Sequence, residues 1–247
     1  MRYLLAIDDT DQKDWPGTGH LLEKIRKSIT ENGWGITDSI TRHQLFVHPS
    51  VPYTSHNSVM CFAGEISQRK EIGNIIDLAI SYLTRESAPE ADPGLCVVFT
   101  DEVKYPERLI SFGQKAKIKK LSKQDAYQLA EQLSLHLSEH GGTGDGVIGA
   151  LAGTGLRLSG DDGRFRGSHF ILDQVIKYKV DVLCHNWKID QVCTENGEPL
   201  SGEEYVFLEG KIKTVLKNNQ SVLLVKKYQE QHQAIWKNLN HSEVKSY

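Results

Sequence analysis

A chain of 247 residues with a formal net charge of -3, 39% hydrophobic and 25% charged residues is sized for one large domain, or a medium domain beside a small one. That balance carries no global cationic footprint for nucleic acid, and no apolar run nears the roughly 18 residues that span a bilayer, so no membrane partner is expected. The four cysteines, Cys61, Cys96, Cys184 and Cys193, include no Cys-x-x-Cys pair, which argues against structural zinc and for reduced thiols in a cytoplasmic protein.

The first strand spans Arg2 to Ile7 and runs straight into Asp8-Asp9-Thr10-Asp11. Three carboxylates within four residues repel one another unless a cation or a set of donors neutralises them. Hard oxygen ligands suit magnesium. The plain alternative is a solvated acidic turn, since aspartate is common in turns. Pro16-Gly17-Thr18-Gly19-His20 then leads into a helix over His20–Asn32, with Leu21, Leu22, Ile25 and Ile29 at helical spacing and Gly33 at its end. Gly17 and Gly19 let a backbone approach a ligand, Thr18 can cap the helix or present its hydroxyl, and the helix start favours phosphate. A helix cap with no ligand is the plain alternative there too.

Ile36–Val47 reads as a second strand and Ser58–Ile66 as a third. Between them lies a polar loop, Arg42 to Asn57, in which Arg42 and three histidines can meet phosphate or substrate, or simply form a surface loop. Glu71–Arg85 is a second helix and Gly94–Thr100 a fourth strand. The order β-α-β-β-α-β is that of a ferredoxin-like core, so the expected class is α+β with added helices. Glu107–Leu121 and Lys123–Glu139 are the added helices; the lysines at 115, 117, 119, 120 and 123 read as a solvated helix face. The run His140-Gly141-Gly142-Thr143-Gly144-Asp145-Gly146 breaks the helix, and Val147–Leu156 resumes as one built of small residues. Gly142, Thr143, Gly144 and Gly146 offer a second phosphate cradle of backbone N–H groups, although no Gly-Lys-Ser/Thr follows as in a Walker loop.

The character changes near Asp173. The division expected is 1–172, a nucleotide-binding domain, and 173–247, a small β-rich module with a polar tail. In the module, Lys211–Lys227 reads as a hairpin around Asn218-Asn219, with Ile212, Thr214 and Leu216 opposite Val222 and Leu224, and Tyr228–Tyr247 as a short helix with a frayed end.

An ordered set of motifs in residues 1 to about 170 resembles the kinase-like catalytic domain of the archaeal tRNA-isoleucine agmatidine synthetases (TiaS). The set is Ile7-Asp8-Asp9-Thr10-Asp11, Gly17-Thr18-Gly19, His48-Pro49-Ser50-Val51-Pro52-Tyr53, Asp92-Pro93-Gly94 and Gly144-Asp145-Gly146-Val147-Ile148-Gly149-Ala150-Leu151-Ala152. The resemblance implies ATP and Mg2+ as cofactors, with Asp8, Asp9 and Asp11 holding the metal and orienting the triphosphate. It also implies autophosphorylation on Thr18 and phosphoryl transfer as the reaction. The family's Lys-Thr-Arg-Gly-Asn element reads Thr54-Ser55-His56-Asn57-Ser58, and Asp145 replaces its arginine. Its OB fold and zinc-binding portion have no counterpart after Asp173.

Loss of cations weakens phosphate-backbone affinity. The expected activity is therefore phosphotransfer to an acceptor left open, a small molecule or RNA. Two alternatives stand beside it. One is a non-catalytic module that binds nucleotide or a partner. The other is a phosphatase similar to the haloacid dehalogenases, with Asp9 as nucleophile and Asp161-Asp162 as its late acidic pair.

Overall fold

A computed structural model describes residues 1–49, 51, 57–230 and 233–247. They form two compact units, Met1–Ser159 and Gly160–Tyr247. The division falls ahead of the boundary expected at Asp173, where a polar segment follows the last small-residue helix.

The first unit is a mixed α/β layer structure. Its elements are β1 (Arg2–Asp8), α1 (Thr18–Glu31), β2 (Ile36–Thr37), β3 (Thr41–Gln44), β4 (Ser58–Glu65), α2 (Glu71–Glu86), β5 (Gly94–Phe99), α3 (Pro106–Ala116), α4 (Lys123–Leu133), β6 (His136–Glu139) and α5 (Gly146–Ser159). The strand order is β6-β5-β1-β4-β3, with β2 added on β4. Neighbouring strands are antiparallel throughout.

β1 reads as an unbroken apolar run because both its faces are covered. Tyr3, Leu5 and Ile7 pack with Leu22, Ile25 and Ile29 of α1 and with Ile75, Ala79 and Leu83 of α2. Leu4 and Ala6 face the other way, toward Leu109 and Phe112 of α3 and Val147, Ala150 and Leu151 of α5. Asp8 continues the Leu4-Ala6 parity, so its side chain is delivered to the α5 side of the sheet.

The small residues of α5 are needed for close approach. A Cβ on Gly155 would lie 2.2 Å from the Leu109 carbonyl oxygen, and one on Gly94 would lie 2.2 Å from the backbone carbon of Gly146. The first contact packs α5 on α3, and the second seats the start of α5 directly beside the start of β5.

Three elements differ from expectation. The strand expected over Ile36–Val47 is split into β2 and β3. The helix expected over Glu107–Leu121 stops at Ala116. The helix expected over Lys123–Glu139 stops at Leu133, where Ser134 takes a left-handed C-cap conformation (φ 56°), and the rest is strand β6 paired with β5. A helix-like apolar spacing through Leu129, Leu133 and Leu137 hides that break, because the turning residue is a serine and not a glycine.

The second unit contains β7 (Arg164–Phe165), β8 (His169–Lys179), α6 (Val180–Trp187), β9 (Gln191–Thr194), β10 (Tyr205–Ile212), β11 (Val215–Lys217), β12 (Gln220–Glu230), β13 (Gln233–Asn238) and a final 3₁₀ turn, Glu243–Ser246. Its sheet runs β7-β11-β12-β13-β10-β8, with β9 parallel to β12. Asn218 and Asn219 both have positive φ (49° and 60°), the requirement of a two-residue hairpin turn whose twist matches its strands. The hairpin is therefore present, but its register is Val215 opposite Val222 and Leu216 opposite Ser221. Ile212 belongs to β10. The polar tail expected to be helical is the end of β12, then β13 and the 3₁₀ turn. Among the described residues no helix is long and apolar enough to cross a membrane.

Candidate active site

β1 ends on Asp8, which is opposite Gly94 of β5 and buried. Its carboxylate sits against α5 at Gly149, where a Cβ would fall 1.6 Å from Asp8 Oδ2. Only glycine leaves room there. The next residue, Asp9, turns the chain through a left-handed conformation (φ 51°), which aspartate tolerates better than most side chains. Thr10 is buried, and its carbonyl accepts the Ala88 N–H at 3.0 Å, which pins the acidic loop to the segment after α2.

Thr18 is the first residue of α1 and is buried. It accepts a hydrogen bond from the Thr10 hydroxyl at 3.1 Å and donates its own to Asp11 Oδ1 at 3.3 Å. Its side chain does not cap the helix, since Gly17 occupies the N-cap. A Cβ on Gly17 would come within 3.3 Å of Asp11 Oδ2.

These groups form one wall of a cleft that encloses about 850 Å³ of empty space, counting what is open to solvent. Asp8, Asp9, Asp11 and Thr18 line it together with Asp92, Asp145, Gly146 and Gly149. Another part of the wall is apolar and basic, made of Leu45, Phe46, Ala116 and Leu121 with Lys119 and Lys120. Phe46 is tied to that wall by its N–H, which donates to the Ala116 carbonyl at 2.9 Å.

Crowding sets the electrostatics. Burial, and then the neighbouring Asp9 and Asp11 charges, hold Asp8 well above the usual carboxylate range. Burial followed by Asp92, Asp11 and Asp145 pushes Asp9 up to about 6. Five aspartates line a single cleft, and the field they share favours any cation that enters.

The sequence-predicted residues divide into those the cleft brings together and those it does not. Asp8, Asp9, Asp11, Thr18 and Gly146 line it. Gly19 is buried within α1. Arg42 lies on β3, donates from Nε to Ser58 Oγ at 2.9 Å, and is lowered by burial while the Asp11 charge raises it. Gly142 and Thr143 close around Asp92, and Gly144 lies against Glu139 and Lys123; none of the three lines the cleft itself. The Thr143 N–H donates to Asp92 Oδ1, and its hydroxyl donates to Oδ2 at 2.9 Å. The anion held by that loop is the protein's own carboxylate. Lys123 secures the same loop, donating to the Thr143 carbonyl at 2.7 Å and to Glu139 at 2.8 Å. Ser50 and residues 52–56, which carry part of the motif comparison, lie outside the described residues.

Asp92, Asp145, Lys119 and Lys120 also line the cleft, although the sequence offers the two acids only as motif residues and the two lysines only as part of a helix face. The Asp92-Pro93-Gly94 turn before β5 is a usable signal. The two lysines, expected on a solvated helix face, instead follow the end of α3 and line the cleft. Asp161, the late acid of the phosphatase reading, accepts the Asn218 N–H at 2.8 Å and ties down the β11–β12 hairpin in the second unit.

A divalent ion is suited by this donor set, which is all oxygen and carries excess negative charge. Among the described residues no three acidic, histidine or cysteine side chains already converge as a complete metal cage. One or two carboxylates completed by phosphate oxygens and water is the usual magnesium arrangement.

No protein-family model matches the chain, and no curated protein matches it by sequence. Solved structures do match. A complex of TiaS with its isoleucine tRNA and ATP aligns with a TM-score of 0.55 at 24% identity, over 63% of this chain and 36% of that one. A tRNA fluorescent labelling enzyme aligns at 0.54 with 25% identity over the same shares, 63% and 36%. A complex of TiaS with the same tRNA, AMPCPP and agmatine aligns at 0.53 with 20% identity, over 72% and 38%. The likeness is one of fold. The chain spans little more than a third of the chains it resembles.

Proposed function

We propose that the acidic cleft of the first unit binds ATP with magnesium and transfers a phosphoryl group, in the manner of a TiaS-like catalytic domain. The observation that carries this reading is the convergence of five aspartates on one cleft, with Asp8 and Asp9 both held above the ordinary carboxylate range. Likeness of fold to a structure solved with ATP and to one solved with AMPCPP supports it. The antiparallel order β5-β1-β4-β3, with helices after the first and third strands of the set, supports reading the core as ferredoxin-like.

In this reading Asp8, Asp9 and Asp11 would hold the ion, and Lys119 and Lys120, which line the same cleft, would meet the negative charge of the phosphates. Magnesium, when bound, neutralises phosphate charge and fixes its orientation. The apolar patch of Leu45, Phe46 and Ala116 gives the base a surface to lie on. Thr18 would be the acceptor for autophosphorylation: its hydroxyl donates to Asp11, so that carboxylate is placed to take the proton when the oxygen bonds to the γ-phosphorus and the bond to the departing ADP breaks. The final acceptor is a small molecule or an RNA, and the location is cytoplasmic.

The test is incorporation of labelled phosphate from ATP by wild type and Asp9→Ala, with the modified residue mapped by mass spectrometry. Turnover is expected to fall roughly a hundredfold or more when a charge-positioning group of this kind is removed. Equal turnover removes the assigned role, and label on Asp9 favours the phosphatase chemistry instead. One observation favours a second reading, a binding module without turnover. Asp92 already occupies the Thr143 donors, and Asp145 adds negative charge where phosphate would have to come. That reading predicts nucleotide binding with no incorporation in wild type.

A further inference from the structure

We infer that the second unit's sheet binds single-stranded nucleic acid on the face that carries Phe170, Tyr205 and Tyr228. In β10 the buried residues are Val206, Leu208 and Ile212, so Tyr205, Phe207 and Lys211 point away from that core. The pairing register carries the same face onto β8, where Tyr205 is opposite Lys179, Phe207 opposite Lys177 and Lys211 opposite Phe170. It continues through Lys237 of β13, which is opposite Phe207, and Lys226 of β12, which is opposite Lys237. Phe170 is 60% exposed, Tyr205 48% and Tyr228 45%, and the strand register puts all three on this one face.

Each of these rings has an ammonium group beside it. Lys177 Nζ lies 4.3 Å from the Tyr205 ring centroid and 5.6 Å from that of Phe207. Lys211 lies 5.6 Å from the Phe170 ring, and Lys237 4.6 Å from that of Tyr228. Some lysines of the face are neutralised within the protein: Lys237 pairs with Glu209, Lys226 with Glu243, and Lys179 with Asp181 and Glu203. Lys177 and Lys211 make no ion pair among the described residues. Positive charge also gathers near Lys211. Beyond the desolvation that lowers it most, His241 is lowered further by Lys211, Arg164, Lys245 and Lys213.

The combination selects the partner. An apolar protein surface would bury these ammonium groups without a counter-charge, at considerable cost. A duplex would offer phosphates but keep its base faces stacked and out of reach of the rings. A single strand presents both: π-faces for Phe170, Tyr205 and Tyr228, and phosphates for Lys177 and Lys211. This inference concerns the unit that follows the nucleotide cleft and does not depend on how that cleft is read.

The test is fluorescence anisotropy of a labelled oligouridylate of about a dozen nucleotides with the full-length chain, in the absence of ATP and magnesium, across a range of salt. Wild type is expected to bind the single strand more tightly than a duplex of equal length. Tyr205→Ala and Phe170→Ala are each expected to weaken binding roughly tenfold, while Tyr205→Phe, which keeps the ring, is expected to bind as wild type does. Lys177→Glu is expected to weaken binding and to flatten the dependence of log affinity on log salt by about 1 or more. The variants are at exposed positions, and circular dichroism confirms that they fold. Three results would overturn the inference: affinity unchanged across these variants, preference for duplex, or no oligonucleotide binding together with a dimer that Tyr205→Ala converts to monomer. The last would assign the face to a second copy of the chain.

Discussion

At the scale of single residues, the site depends on one missing side chain as much as on the acids present. Asp8 can face α5 only because position 149 carries no Cβ; an added methyl would overlap its Oδ2 at 1.6 Å. Gly149→Ala is therefore expected to push the carboxylate out of place or lift α5, at a cost of about 1–3 kcal/mol, and to abolish nucleotide binding. Gly73→Ala in α2 is the control. Nothing lies within 4 Å of the Cβ it would add, so it is expected to raise stability by up to ~1 kcal/mol through helix propensity alone. Chemical denaturation of both variants checks the pair, and equal stability would remove the packing argument. Asp8, Asp9, Asp11 and Thr18 are legible in the sequence because they are contiguous with a strand end or a helix start. Asp92 and Asp145 are legible only as members of short turn motifs; that they share the cleft with Asp8 depends on the β1–β5 pairing and the contact of Gly94 with Gly146, which lie far apart in the sequence.

At the scale of elements, legibility follows how much of each signal is local. β1, α1, β4, α2 and β5 stand where apolar periodicity puts them, because each has a complete buried face or stripe. β6 is hidden inside an apparent helix, and its polar residues show what the strand does instead. His136, Ser138 and the following His140 alternate onto one face, where the Ser138 hydroxyl lies 3.0 Å from His136 Nε2 and 2.8 Å from His140 Nε2. Protonating both rings would set two positive charges side by side in a half-buried place, around one hydroxyl that lies between them. Burial lowers both histidines. His140 is lowered further by His136, while Glu139 partly offsets the effect. With folded-state values depressed below the unfolded value near 6.5, the unfolded chain binds more protons in between, so stability is present above about pH 6.5 and is lost as pH falls below it. The melting temperature is expected to fall between pH 7 and pH 5, and His136→Gln is expected to flatten that fall. An identical pH profile in the variant would place the acid sensitivity elsewhere.

At the scale of the whole molecule, each unit holds its own hydrophobic clusters. Those of the first are built around the two faces of β1, and those of the second around β10 and β12. A change of composition near Asp173 marks the second unit, but the physical division is earlier. α5 ends at Ser159, Gly160 takes a left-handed turn (φ 73°), and Asp161 is bound to the β11–β12 hairpin. The sequence Gly160-Asp161-Asp162-Gly163 carries that signal, but its two acids point first to chemistry and only then to a boundary. Units with separate cores can open separately, so a ligand that binds only one of them stabilises that one first. A bound ligand at a hundred times its dissociation constant adds about 2.7 kcal/mol to the state that holds it. Hydrogen exchange measured with and without magnesium-ATP is therefore expected to slow about tenfold or more at the amides of β1, of α1 and of the first turn of α5. Exchange over Gly160–Tyr247 is expected to stay as it was. Equal slowing across both units would mean that the chain opens as one cooperative body. Slowing confined to Gly160–Tyr247 would move the nucleotide site out of the acidic cleft altogether.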